Sequence, residues 1–209
     1  MAIKPILFNT EMVRAILDGR KSCTRRLMKP QPQSKLCYTF AGSDTGTWGY
    51  PDKTAHEIWG EEYKLQDDIT KDELNKRWNP PYHTDDILYV RETWKKAPNG
   101  YYYYESWQRN DIADVTKWKP SIYMPKEAAR IWLKVTDVRV ERLQEMWASD
   151  ASKEGIYFSK PTTADEMLIA FAKLWDSTIK KSDLDQYGWN ANPYVWVTEY
   201  ERCGKPEGV

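Results

Sequence analysis

Residues 4–28, KPILFNTEMVRAILDGRKSCTRRLM (Lys4 to Met28), read as a strand, a helix and a second extended segment in quick succession. Lys4 to Phe8 forms a short apolar run of strand type. Asn9 or Thr10 can cap a helix in which Met12, Val13, Ile16 and Leu17 recur at helical spacing. Gly19 stands where a glycine ends a helix, because only glycine enters the left-handed region without a Cβ penalty. From Lys21 to Met28 the chain is predicted to be extended, and Pro30 and Pro32 stop it.

The pattern sharpens again further along. Ile87 to Trp94 reads as a strand after the turn residues Asp85 and Asp86. Pro98-Asn99-Gly100 is a turn, and Tyr101 to Ser106 continues as a hairpin arm. Ile131 to Val140 alternates with a phase slip at Thr136-Asp137, the mark of a bulge. Leu143 to Gly155 reads as one or two helical turns. Thr163 to Ile179 is a helix with a Thr163/Glu166 capping box and a Met167, Phe171, Leu174, Trp175 stripe. Pro193 opens a last strand, Tyr194 to Glu201, apolar on both faces. Strands broken by short helices, without βαβ regularity, predict an α+β chain: a small β-barrel with short helices over its ends. Residues 1–209 are expected to form a single domain. Residues 30–83 carry turn signals and scattered aromatics, with a short helix expected over 67–78. They read as a long insertion or elaborate loop.

Equal numbers of cationic and acidic residues, 31 each, argue against a protein that coats nucleic acid through bulk charge. The charge is uneven, however. Residues 1–35 hold eight Lys and Arg against Glu11 and Asp18, a basic pole suited to a focused anionic ligand or to plain solvation. Among the aromatics, 11 Trp and 14 Tyr outweigh 4 Phe, which favours half-wet surfaces and stacking on bases as well as ordinary packing. Cys23, Cys37 and Cys203 form no CxxC, and His56 and His83 stand alone, so neither a metal site nor a disulfide framework is expected. No cofactor is implied. The N-terminus lacks a long apolar run, which predicts a cytoplasmic chain with no signal peptide or membrane span.

The densest chemistry lies in Gly19-Arg20-Lys21-Ser22-Cys23-Thr24-Arg25-Arg26, four cations and two hydroxyls beside a helix end. Along an extended segment Ser22, Thr24 and Arg26 share one face. A nucleotide-binding P-loop needs glycine immediately before the lysine, where Arg20 stands here. On residues alone the segment is equally a basic surface hairpin or a binding site.

The segment resembles the signature of the ASCH family, PUA-like small barrels in which a Gly-x-Lys-x-x-Thr-x-Arg pattern follows the first helix; Gly19, Lys21, Thr24 and Arg26 match it. Asp85 to Trp94, Ile131 to Val140 followed by Leu143-Gln144-Glu145 and Ala151 to Gly155, and Pro193 to Tyr200 resemble later family segments in the same order, although Asp85 replaces a usual glycine. The layout is most similar to ASCH-like proteins encoded by phages and prophages. The resemblance implies a PUA-like barrel with a pocket for a nucleoside or RNA. In members that hydrolyse N4-acetylcytidine it implies a Lys–Thr–Glu set, to which Lys21, Thr24 and Glu154 correspond, with Glu145 a poorer match. There the threonine is the nucleophile, the lysine its base, and the glutamate relays a proton to the leaving amine. The alternative is that Lys21, Arg25 and Arg26 hold a phosphate.

Arg20, Ser22, Arg91, Glu92 and Trp94 complete the candidate ligand-binding set, Trp94 as a stacking ring and Arg91 with Glu92 as either pocket groups or a structural ion pair. The run Tyr101 to Tyr104 reads as a hairpin with two rings packed and two exposed, or as a stacking platform. Three functions follow: a metal-independent amidohydrolase acting on an acylated cytidine, a non-catalytic RNA or modified-base binding module, and a phage accessory protein that acts on a host protein or nucleic acid with residues 30–83 as its contact surface.

Overall fold

The computed structural model describes residues 1–39, 47–50, 78–109 and 117–208. The opening stretch folds in the predicted order: β1 (Ile3–Leu7), α1 (Thr10–Leu17) and β2 (Cys23–Leu27). Asn9 caps α1 by accepting from the Met12 amide at 2.9 Å, and Gly19 ends it at φ +74°. Two small hairpin strands follow, β3 (Cys37–Thr39) with β4 (Thr47–Gly49). Then come β5 (Ile87–Arg91), β6 (Trp94–Ala97) and β7 (Gly100–Tyr103). The expected hairpin arm to Ser106 is shorter than predicted: at Tyr104 the chain turns into α2 (Tyr104–Arg109), which packs on α1. The long strand β8 (Trp132–Arg142) leads to α3 (Ala148–Lys153), α4 (Ala164–Thr178), α5 (Leu184–Tyr187) and β9 (Tyr194–Cys203).

Five strands make one sheet in the order β1-β5-β8-β9-β2, with β1 parallel to β5 and the other neighbours antiparallel. The phase slip read at Thr136 is a register shift between Val135 and Asp137. Among the described residues no strand pairing closes β1 onto β2, so the hydrogen-bonded sheet they form is open where a closed barrel is expected. The two edges are nonetheless linked, since the Arg26 guanidinium donates to the Leu7 carbonyl at 3.2 Å.

Strand alternation gives each sheet face its own core. Ile6, Phe8, Leu88, Val90, Leu133, Val135 and Tyr200 pack under α1 through Val13 and Ile16. On the other face Cys23, Val195 and Val197 pack against Phe171 and Trp175 of α4. A fully buried side chain of this kind stabilises by about 1.5–3 kcal/mol, so two filled faces specify the register firmly. The described parts of 30–83 are not detached: Leu36, Tyr50 and Trp78 are buried with Met28, Val140 and Trp196. The helix expected over 67–78 lies outside the described residues, apart from Trp78, which forms an isolated bridge with Trp48.

Candidate functional site

The turn after Gly19 is pinned by backbone bonds: the Ser22 amide donates to Lys153 O and the Ser22 carbonyl accepts from the Tyr200 amide, both at 2.9 Å. This ties the start of β2 to the end of α3 and to β9, and it turns Lys21 inward. The buried Lys21 ammonium donates to Cys23 O at 2.7 Å, Glu154 O at 2.8 Å and Glu154 Oε2 at 2.9 Å. Three acceptors match the three donors of an ammonium. Phe8 lies beneath the nitrogen, its ring centroid 5.4 Å away.

Glu154 is held from a second side. Arg25, itself buried, reaches Glu154 Oε1 at 3.4 Å, Glu141 at 3.2 Å and Asp150 at 3.6 Å. Three carboxylates thus surround Arg25, while its Nε is buried without a partner. Buried charges need this degree of pairing, because the desolvation of each ion is large.

Gly155 makes the approach possible. Its φ is +98°, and a Cβ there would stand 3.0 Å from Ala15 Cβ and 3.5 Å from Lys21 Cβ. The glycine read from sequence as a helix stop is therefore also the point where α3 closes on α1 and Lys21. Its carbonyl accepts from Arg20 Nη1 at 3.1 Å, and the Arg20 guanidinium lies over the Tyr157 ring at 5.1 Å.

Beside this knot opens a cleft of about 740 Å³. Its walls include Arg14 and Asn9 from the α1 region, Arg20, Glu154 to Phe158, and Ala170 and Leu174 of α4. Tyr157 and Phe158 are exposed at 66% and 41%, with the Arg20 guanidinium over one face of the Tyr157 ring. Glu154 belongs both to the buried knot and to the cleft wall. Lys21 stands behind it and is not part of the lining.

A solved ASCH domain structure is similar to this chain. It is the high-resolution crystal structure of the ASCH domain from Lactobacillus crispatus JV V101, 9% identical, with a TM-score of 0.37 over 96% of this chain and 79% of that one. No protein-family model and no curated protein matches the chain.

The sequence-derived residues separate into groups. Lys21 and Glu154 meet directly, with Arg25 and Arg20 beside them. Thr24 lies across from Thr198 on β9, on the sheet face opposite Cys23 and Arg25, and among the described residues no hydrogen bond joins it to Lys21 or Glu154. Thr198 Oγ1 is buried there without a partner. Arg26 shares the Thr24 face and lines a second cavity of about 430 Å³ with Lys29, Tyr82 and Trp196. Ser22 serves through its backbone. Glu145 accepts from the Arg142 amide and caps the short helical turn Leu143–Glu145, away from the knot.

The β5–β6 candidates serve a different cluster. Glu92 forms a two-bond pair with Arg130, 2.8 Å each, and Glu105 joins at 3.4 Å. Burial pushes the Glu92 carboxyl above its ordinary pKa, against the opposing effect of Arg130. Arg91 donates to Met124 O at 2.8 Å. Trp94 is only 5% exposed and packs against Tyr101, so its ring is a core ring and not an open stacking face.

Sequence reasoning missed Tyr157 and Phe158 as cleft residues. Their only signal was two aromatics following Glu154-Gly155, and the cleft forms where that segment meets the α1 region and Ala170 and Leu174 of α4.

Among the described residues no cluster of His, Cys, Asp and Glu is arranged to hold a metal ion, and no helix is long and apolar enough to cross a membrane.

Proposed function

We propose that this chain is an ASCH-like, PUA-like single domain of the cytoplasm whose cleft beside Glu154 takes a nucleoside or an RNA residue. The observation that carries the reading is the double position of Glu154. Lys21 and Arg25 fix its carboxylate from behind, while the same residue forms the wall of a cleft edged by two exposed aromatic rings and by Arg20. A fixed acceptor, a stacking face and a cation are the three contacts that a base with its sugar or phosphate requires. In this reading Lys21 is a positioning residue, because its three donors are already engaged, and Glu154 is the group that meets the ligand.

Amidohydrolysis of an N4-acylated cytidine is the second reading, favoured by the 2.9 Å Lys21–Glu154 contact. In that reading Glu154 would take the Thr24 hydroxyl proton as the threonine oxygen bonds to the acyl carbon, return it to the cytidine amine as the C–N bond breaks, and water would then hydrolyse the threonine ester; the step requires Thr24 to leave the sheet face it occupies opposite Thr198.

Calorimetric titration of cytidine and N4-acetylcytidine into wild type, Tyr157→Ala and Glu154→Gln tests the binding reading. Tyr157→Ala should cost roughly 1–3 kcal/mol of binding if that ring stacks the base. No heat of binding from either nucleoside, or equal affinity in all three proteins, removes the cleft from consideration. Acetate release from N4-acetylcytidine that disappears in Thr24→Ala establishes the hydrolase. Binding without release leaves the module.

A further inference from the structure

A second aromatic site is built on the β6–β7 hairpin, away from the cleft. Alternation along these strands sorts the tyrosine run. Trp94, Tyr101 and Tyr103 enter a core cluster with Met124 and Trp132. Lys95 pairs with Tyr102 and Ala97 with Gly100, so Lys95, Ala97 and Tyr102 share the opposite face. Over that face lie Trp107 of α2 and Trp118. Together these five residues enclose a niche of about 170 Å³. The Tyr102 ring meets Trp107 at 84° with centroids 6.3 Å apart, and Trp118 meets Trp107 at 68° and 6.0 Å. Tyr102 is 38% exposed.

We propose that the Tyr102–Trp107–Trp118 niche is a stacking box for one unpaired nucleobase of a single-stranded RNA, with Lys95 meeting the adjoining phosphate. The charge decides the class of occupant. The charged residue in the lining is a cation, with no carboxylate among the five, and among the described residues Lys95 has no ion-pair partner. Lys96 and Lys119 lie on the other face, over the Tyr101 and Trp94 rings, so Lys95 is the cation that the niche presents. An aromatic cage with a lysine in its wall repels a quaternary ammonium but suits a flat, neutral π-face attached to an anion. A niche of this size admits one ring system and leaves the sugar and phosphate outside. The site is independent of the Glu154 cleft, although α2, which carries Trp107, packs on α1 beside it.

The test is fluorescence anisotropy of a dye-labelled eight-nucleotide single-stranded RNA with the full chain, over a series of salt concentrations. Tyr102→Ala should weaken binding roughly five- to a hundredfold, as the loss of one stacked base does, while Tyr102→Phe should bind as wild type. Lys95→Ala should reduce the slope of log affinity against log salt by about 0.7, one single-strand phosphate. Glu154→Gln should keep the effect of Tyr102→Ala intact, so failure of the cleft and failure of the box are separately visible. The proposal is overturned if wild type does not bind the RNA, or if Tyr102→Ala and Tyr102→Phe bind equally. Loss of a protein partner in Tyr102→Ala with unchanged RNA affinity would assign the niche to a protein and overturn it as well.

Discussion

Gly155 and Cys23 show how much at this site depends on single atoms. Gly155→Ala places a Cβ at a φ that side chains rarely adopt and 3.0 Å from Ala15. The variant should lose about 1–3 kcal/mol, seen as a lower urea midpoint, and should weaken nucleoside binding because Glu154 moves with it. Lys21→Ala leaves Glu154 buried without its ammonium and should cost about 3–5 kcal/mol; Glu154→Gln keeps the side-chain shape and an acceptor oxygen but leaves Lys21 without its carboxylate, so its urea midpoint is measured beside its binding. The Cys23 thiol is pushed up to about 12, first by burial and then by the Glu154 carboxylate. In native protein at pH 8 it should stay unmodified by an aromatic disulfide reagent and react only after unfolding. Rapid modification of Cys23, mapped by mass spectrometry, would show that the knot opens to solvent.

At the scale of elements, two local devices hold the frame. Thr163 accepts from the Glu166 amide at 3.2 Å and Glu166 accepts from the Thr163 amide at 2.8 Å, the capping box that starts α4. Thr163→Ala should destabilise by about 1 kcal/mol, read from thermal unfolding. Asp86 joins β1 to the loop before β5: it accepts from the Ala2 and His83 amides and pairs with Lys4 at 2.7 Å. Burial pushes the Asp86 carboxyl up, but the Lys4 and backbone hydrogen bonds outweigh it and hold the pKa below the ordinary value. A depressed carboxylate adds stability above its unfolded pKa, about 3.9, and loses it as pH falls through the folded value. Asp86→Asn should therefore cost roughly 1.5–3 kcal/mol at pH 7, with the gap to wild type narrowing in acid below about pH 4. A constant gap from pH 7 to pH 2 would place the role of Asp86 in shape and not in charge.

At the scale of the whole molecule, a side chain links the two edges of the sheet. Arg26 reaches from edge strand β2 to Leu7 of edge strand β1. Arg26→Ala should change global stability by about 0.5–1.5 kcal/mol, the net worth of one hydrogen bond, yet speed amide exchange along Cys23 to Leu27. Unaltered exchange there would mean that the edges hold without the bridge. The chain carries equal numbers of cationic and acidic residues, so a ligand of the proposed cleft would be met by local groups such as Arg20 and Tyr157 and not by a long-range field.

Local signals in the chain determined much of this. The strand–helix–strand opening, the Thr163 capping box and the bulge at Thr136 all follow from spacing, because period 2, period 3.6 and cap chemistry act between residues close in sequence; the expected two-and-two split of the tyrosine run does not appear, since Tyr104 opens α2 and only Tyr102 is exposed. The segment around Lys21 was legible as a candidate site for the same reason. Only the tertiary structure decided what faces what. Lys21 and Glu154 are 133 residues apart, and their 2.9 Å contact depends on Gly155 letting α3 approach α1. Alternation on β2 sends Thr24 to one sheet face and Arg25 to the other, and which face meets the cleft is set by where α4 packs. Strand-end polarity leaves Arg91 and Glu92 open between pocket groups and an ion pair and offers Trp94 as a stacking ring; it cannot reveal that Arg91 meets Met124 O, Glu92 meets Arg130 and Trp94 packs on Tyr101. Contacts between distant segments carry no signature in a single sequence, since each partner is specified only by the packing of the elements that bear it.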